Sequence, residues 1–229
     1  MTLTLKGFFK GFRSLSWLAV FLIPFGMAFG AAAVERGISV EQAILMSAAV
    51  FSAAAQFAAM PLWETGTVLS LVLVVLAVST RHILLGAALS PWLNQISRPR
   101  RLAGLSVLSD PNFADSSAAF ERGERDAGRL VGGGAALWLS WVAGSAIGAV
   151  AGESFGDLSR FGIDALMVSY FTAMILARWL DRWQGSATVL PALTAAAVAL
   201  VGLHLLPAGW NIVATALAGG AVGGFLHGR

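Results

Sequence analysis

The stretch from Thr67 to Leu93, TVLSLVLVVLAVSTRHILLGAALSPWL, constrains this chain more than any other. It is apolar enough and long enough to cross a bilayer, which takes about 20 residues at about 1.5 Å each. Near its centre it nevertheless carries Arg81 and His82, directly after the polar pair Ser79 and Thr80. An arginine in the middle of a spanning helix costs about 2.5–3.5 kcal/mol even on lenient insertion scales. A chain that keeps such a charge turns it toward a water-filled cavity or a buried partner. Ser79, Gly86, Ser90 and Pro91 would let the backbone open nearby. The expectation is a transport site. The bland alternative is a permanent pairing of Arg81 with Asp110 or with a lipid phosphate, which would only fix the fold.

Composition supports the membrane reading. The chain is 57% hydrophobic and only 12% charged, whereas soluble domains carry about 25% charged residues. The surplus of 15 Lys+Arg over 12 Asp+Glu then describes orientation rather than a nucleic-acid partner. With no cysteine, disulfides, thiolate nucleophiles and cysteine-bound metals are excluded. His82, His204 and His227 lie too far apart in sequence to suggest a local metal motif, and no cofactor is expected.

Lys6, Lys10 and Arg13 precede the apolar run Leu15–Val34. A signal peptide is one reading of this pattern. The length of the run and the number of spans after it favour a retained first helix with a cytoplasmic amino terminus. Within it, Pro24-Phe25-Gly26 before Gly30 reads either as a kink with a small-residue packing face or as a break at a substrate site. After the polar loop Glu35 to Gln42 comes Ala43–Trp63, whose centre SAAVFSAAAQF surrounds Gln56 with small side chains. That amide needs a partner inside the bundle, either another helix or a ligand.

From Asn94 to Arg129 the chain turns polar, with Arg98, Arg100 and Arg101 at one edge and Arg122, Arg125 and Arg129 at the other. Asp110-Pro111-Asn112 interrupts the middle, which suggests two short helical pieces or a re-entrant element, or else an ordinary cytoplasmic loop with an Asp-Pro turn. Four further apolar runs follow: Leu130–Ala151, Phe161–Trp179, Thr188–Leu206 and Trp210–Leu226. Gly144, Gly148 and Gly152, then Gly219, Gly220, Gly223 and Gly224, are helix-packing signatures. Arg178, Asp181 and Arg182 read as a charged cytoplasmic connection. The chain is thus expected to be one all-α transmembrane domain over 1–229 with about seven or eight spans. The positive-inside tendency favours eight, with Leu102–Phe120 crossing as well. An echo links Gly26, Gly30, Glu35, GIS and AILMS to Gly144, Gly148, Glu153, GID and ALMVS, the form an internal repeat would take.

Signatures of membrane enzymes are missing: there is no His-Glu-x-x-His, no Gly-x-Ser-x-Gly and no Gly-x-x-x-x-Gly-Lys. The chain is not expected to be an enzyme. PFGMAFG at Pro24–Gly30, MSAAVFSAAAQF at Met46–Phe57, RHILLGAALSP at Arg81–Pro91, SDPNFADS at Ser109–Ser116 and WVAGSAIGAVAG at Trp141–Gly152 follow one another in an order that resembles the AzlC-like proteins. These are the large subunits of bacterial branched-chain amino acid exporters. The resemblance covers nearly the whole chain. It implies export of small apolar amino acids across the cytoplasmic membrane and a much shorter AzlD-like membrane partner. Three departures stand out: Ser79 and Thr80 replace the usual Asn-Leu before the Arg-His, Ser52 to Ala55 lacks the usual glycine, and Pro111 replaces an acid after Asp110.

A zwitterionic substrate needs both of its charges compensated away from bulk water. Arg81 can hold a carboxylate in a bidentate pair, supported by backbone N–H groups of a broken helix that includes Ser79 and Thr80. Asp110 or the Gln56 carbonyl can take the ammonium, and Pro24 and Gly26 mark a further candidate break beside the site. His82, with Asp110, is the candidate for linking substrate movement to protons. The rival from another class is a non-transporting scaffold or assembly subunit, suggested by the dense glycine faces.

Overall fold

Two long helices that run side by side organise the described chain. The structure is a computed structural model describing residues 1–64, 66–155, 186–206 and 210–227. The first helix, α1, covers Leu5–Glu35 and stays continuous through Pro24. It is followed by α2 (Val40–Val50), α3 (Ala53–Ala59) with a 3-10 turn at Met60–Leu62, α4 (Val68–Ser79) and α5 (Arg81–Leu93). Next come α6 (Arg98–Ser106), α7 (Asp110–Glu121) and the long α8 (Gly128–Phe155). The last described helices are α9 (Ser186–Leu205) and α10 (Trp210–His227). Among the described residues every regular element is helical, as the sequence led one to expect. The run Phe161–Trp179, the charged connection Arg178–Arg182 and the second half of the echo from Gly162 lie outside them.

The chain forms two compact units, Met1–Ala53 with Ser79–Asp157, and Ala54–Val78 with Leu158–Arg229. In the first unit α1 and α8 pack backbone to backbone. Side chains at Gly26 and Gly30 would meet the carbonyls of Trp141 and Ser145, and side chains at Gly144 and Gly148 would meet those of Ile23 and Met27. The contact is reciprocal: glycines of each helix face carbonyls of the other. Small residues permit this close approach, which lets dispersion act between the backbones themselves. Phe29 stacks on Trp141 with centroids 6.2 Å apart. Gly26 therefore belongs to a helix interface, and no break occurs at Pro24-Phe25-Gly26.

Partner positions rise together along the two helices, from Gly11 beside Arg129 to Ala31 beside Gly152, so α1 and α8 run parallel. Their starts are tied by Thr2 N–H donating to the Arg125 carbonyl at 2.8 Å and Ala127 N–H donating to the Thr2 carbonyl at 2.8 Å. Thr4 caps α1 by accepting from Gly7 N–H at 3.0 Å, and its own N–H and hydroxyl both donate to Asp126. Burial pushes the Asp126 carboxyl up, but these bonds and the Gly128 amide outweigh it and hold the group below its usual range.

The segment between α5 and α8 departs from expectation. At 9 and 12 residues, α6 and α7 are only about 14 and 18 Å long, short of the roughly 30 Å hydrocarbon core. The segment starts beside the amino terminus, where Met1 N donates to Gln95 Oε1 at 3.3 Å, and returns to it at Arg125. Leu102–Phe120 is thus not a crossing but a helical hairpin of two short pieces, whose two ends lie at the same end of the α1–α8 pair. All six arginines of this segment share that end with Lys6, Lys10 and Arg13. The charge count favours a crossing there only when Ala43–Trp63 and Thr67–Leu93 are each taken to cross.

Those two segments are also interrupted. Phe51 adopts a left-handed backbone, φ 40 and ψ 43, which ends α2; Thr80 separates α4 from α5. Among the described residues α1 and α8 are each long and apolar enough to span alone, and α4 with α5 makes a third if the pair counts as one. In the second unit, α9 and α10 pair through Gly219 against Ala195 and Pro191.

Candidate functional site

The helices α5 and α7 run in the same direction, and their amino ends meet. Near their far ends the rings of Trp92 and Phe120 lie 5.8 Å apart, in a cluster of buried Leu89, Leu93, Leu108, Phe120 and Leu130. At the near ends Arg81 Nη1 stands 3.3 Å from Asp110 Oδ2. Each helix begins there for a local reason. Thr80 interrupts the chain, and His82 donates from Nδ1 to the Ser79 carbonyl at 3.1 Å, satisfying an acceptor at the end of α4. Ser109 is extended, and Pro111 fills the first turn of α7, where its missing N–H is no loss. Asp110 stands in that same turn, where a negative charge complements the helix dipole.

The pair is neither sealed nor fully solvated, its side chains being 36% and 24% exposed. Arg81 Nε and Ser109 Oγ are buried and make no hydrogen bond. Leaving a buried donor unbonded costs about 1–3 kcal/mol. Two unused donors beside a carboxylate and a helix amino end form a place where an anionic group would gain bonds. Their neighbour Asp110 would hold a cationic one.

The hairpin that carries Asp110 is anchored from α8. Arg129, only 8% exposed, donates to Asp115 from Nε at 2.8 Å and from Nη2 at 2.7 Å. It also reaches Glu124 at 3.3 Å and Ser14 at 3.1 Å, while Lys10 meets Glu124 at 2.8 Å. Burial pushes the Asp115 carboxyl up, but the bonds from Arg129 and Ser14 and the charges of Arg129 and Arg122 hold it below its usual value. Nothing in the sequence alone points to this cluster, to the unbonded hydroxyl of Ser109, or to the bonds that the buried Asn112 makes to the Val107 and Leu130 carbonyls. The arginine at the head of an apolar run with acids upstream reads there only as a flanking charge.

Gln56 is fully buried on α3 in the second unit, whereas Arg81, His82, Asp110, Ser79 and Thr80 belong to the first. Ser79 and Thr80 form the break itself. A surface depression of about 350 Å³ along α9 is lined by Ala197, Val198, Val201, Gly202, Leu205 and Leu206; with no polar side chain it does not suit a zwitterion. No group of three His, Asp or Glu suited to a metal ion occurs among the described residues.

A family model described as AzlC protein matches residues 18–155, more than half of the chain. The matched span contains all of α5, α7 and α8. No curated protein and no solved structure matches.

Proposed function

The chain belongs to the AzlC family, a transporter family associated with branched-chain amino acid transport, and on that premise we propose that it is a secondary transporter subunit exporting branched-chain or other small hydrophobic amino acids. The observation that carries this reading is the Arg81–Asp110 pair, with Arg81 Nε and Ser109 Oγ unbonded beside it. A zwitterion would exchange one ion pair for two. Its carboxylate takes two N–H groups on one edge of the Arg81 guanidinium, Nε among them, and the Ser109 hydroxyl, and its ammonium takes Asp110. Both charges then stay compensated while the substrate is away from bulk water. His82, whose Nδ1 is held on the Ser79 carbonyl, is the proposed link to a proton gradient together with Asp110.

The cation-rich end of the α1–α8 pair is the proposed cytoplasmic face of a bacterial inner membrane. In this topology the amino terminus and the hairpin face the cytoplasm, and α4 with α5 makes the crossing between the two parallel spans. A short AzlD-like membrane subunit is the proposed partner.

The test is flux in proteoliposomes, with and without that partner. Vesicles are loaded in turn with labelled valine, leucine, isoleucine and methionine under an imposed pH gradient. Selective flux that follows the gradient is expected, and Arg81→Ala should abolish it in protein that still inserts. Unchanged export by that variant would remove Arg81 from the mechanism. Absence of flux from inserted, partnered protein would favour the scaffold reading instead.

A further inference from the structure

Asn112 is fully buried and lies two positions beyond Asp110, in the first turn of α7. Its amide nitrogen donates twice, to the Leu130 carbonyl of α8 at 2.9 Å and to the Val107 carbonyl at 3.2 Å. Its Oδ1 accepts from Ser116 Oγ at 3.4 Å. Val107 ends α6, where a carbonyl lacks the amide that a continuing helix would supply. One side chain therefore satisfies the end of α6, ties it to the start of α7 and pins both to α8. Among side chains of this size only an uncharged amide brings two donors: aspartate would bring none, and leucine would fill the space without a bond.

The same turn is seated from the α8 side by an absent side chain. A methyl group on Gly134 would run into the carbonyl of Val107, so the hairpin tip lies closer to α8 than a side chain there allows, and an alanine would have to push it outward. Asn112 and Gly134 thus grip Val107 from two directions. The group that this grip aims is Asp110, whose carboxylate faces Arg81 across 3.3 Å. Hydrogen bonding and electrostatic pairing both weaken steeply with misplacement, so the height of the tip on α8 sets how well the pair fits a ligand.

We propose that Asn112 is a positioning residue for the substrate's charged end, holding the tip of the α6–α7 hairpin so that Asp110 meets Arg81 in register. The inference rests on the transport-site reading of that pair. Asn112 does not touch the substrate; it acts through Asp110.

The experiment is equilibrium binding of labelled L-leucine to the full-length chain in lipid nanodiscs, arranged as a double-mutant cycle. The variants are Asn112→Leu, Gly134→Ala and Asp110→Asn, with each of the first two also combined with the third. Asn112→Leu and Gly134→Ala should each weaken binding by about tenfold in the unaltered background and by less than about twofold once Asp110→Asn is present, since coupled residues are non-additive. The same factor in both backgrounds, or native affinity in the folded single variants, would overturn the proposal. Gly134→Ala keeps every polar group and favours helix, so it carries the test if Asn112→Leu does not fold. Undiminished binding by Asp110→Asn, or no leucine binding by the unaltered chain, would instead refute the transport-site reading and take this inference with it.

Discussion

Replacing Arg129 by methionine should destabilise the protein by about 3 kcal/mol, and the structure shows why the figure is neither smaller nor much larger. Breaking a buried ion pair by removing one partner costs about 3–5 kcal/mol, because a charge is left uncompensated away from water. Arg129 is 8% exposed and is bonded to Asp115, Glu124 and Ser14. The loss is held toward the lower bound for two reasons. Asp115 keeps its bond from Ser14 at 2.9 Å and Glu124 keeps Lys10, and both carboxylates retain 18% exposure. For a chain of this size each kcal/mol shifts the melting temperature by about 2–4 °C, so the expected drop is about 6–12 °C. Thermal melting of the detergent-solubilised protein, followed by size-exclusion fluorescence, measures it. Adding Asp115→Leu to Arg129→Met should recover at least about half of the loss, because the stranded charge is gone. A single-variant shift below about 2 °C, or a double variant less stable than the single, would refute the idea that this cluster anchors the hairpin.

Acid should weaken the same end of the molecule. Asp115 and Asp126 titrate below their ordinary range in the folded chain, so the stability they contribute is complete above the unfolded value of about 3.9 and is lost as pH falls through the folded value. Melting temperature should therefore drop below about pH 4, and Asp126→Asn should flatten that part of the curve; an unchanged slope would count against the Asp126 cap. Gly148→Leu should prevent the protein from accumulating, since a side chain there meets the Met27 backbone, whereas Gly37→Ala, at a turn with open space but φ of 75°, should cost only about 1 kcal/mol. Immunoblotting of membranes separates these two outcomes. Because the chain has no cysteine, single cysteines at Gly37 and Arg122 can be labelled with an impermeant maleimide in right-side-out and in inside-out vesicles. The parallel spans require the two positions to label from opposite sides, and labelling from one side would overturn the topology.

The sequence announced the class of molecule by arithmetic that any folding pathway must respect. Apolar runs too long for a soluble core, few charges, and Arg81 inside a spanning stretch oblige helices to satisfy their own backbones in lipid. The start of α7 at Asp110-Pro111, the break before Arg81 and the glycine faces of α1 and α8 were all legible, because proline, glycine and buried charge act on their immediate surroundings. Asp110 is one of the two partners that the sequence offers Arg81, a lipid phosphate being the other, and the structure holds the contact with Asp110.

Direction and depth were not legible. Nothing local in Leu102–Phe120 distinguishes a strand of chain that crosses from one that turns back; only its two anchor points beside Met1 and Thr2 do. Nothing local tells that Arg129 is buried under Asp115 while Arg98 stays exposed. Asn112 looked like the tail of a turn signal until α8 supplied the Leu130 carbonyl. The sequence by itself determined the membrane class of the chain, the break before Arg81 and the start of α7, because those follow from hydropathy and backbone chemistry within a few residues; the left-handed break at Phe51 and the unbroken course through Pro24 were not legible in it. Only the tertiary structure decided that α1 and α8 run parallel and that the polar segment returns to its starting side. It also decided that Arg129 meets Asp115 and Glu124 under cover, because that burial depends on α1 packing against the hairpin, through contacts such as Ser14 with Asp115, 101 positions apart.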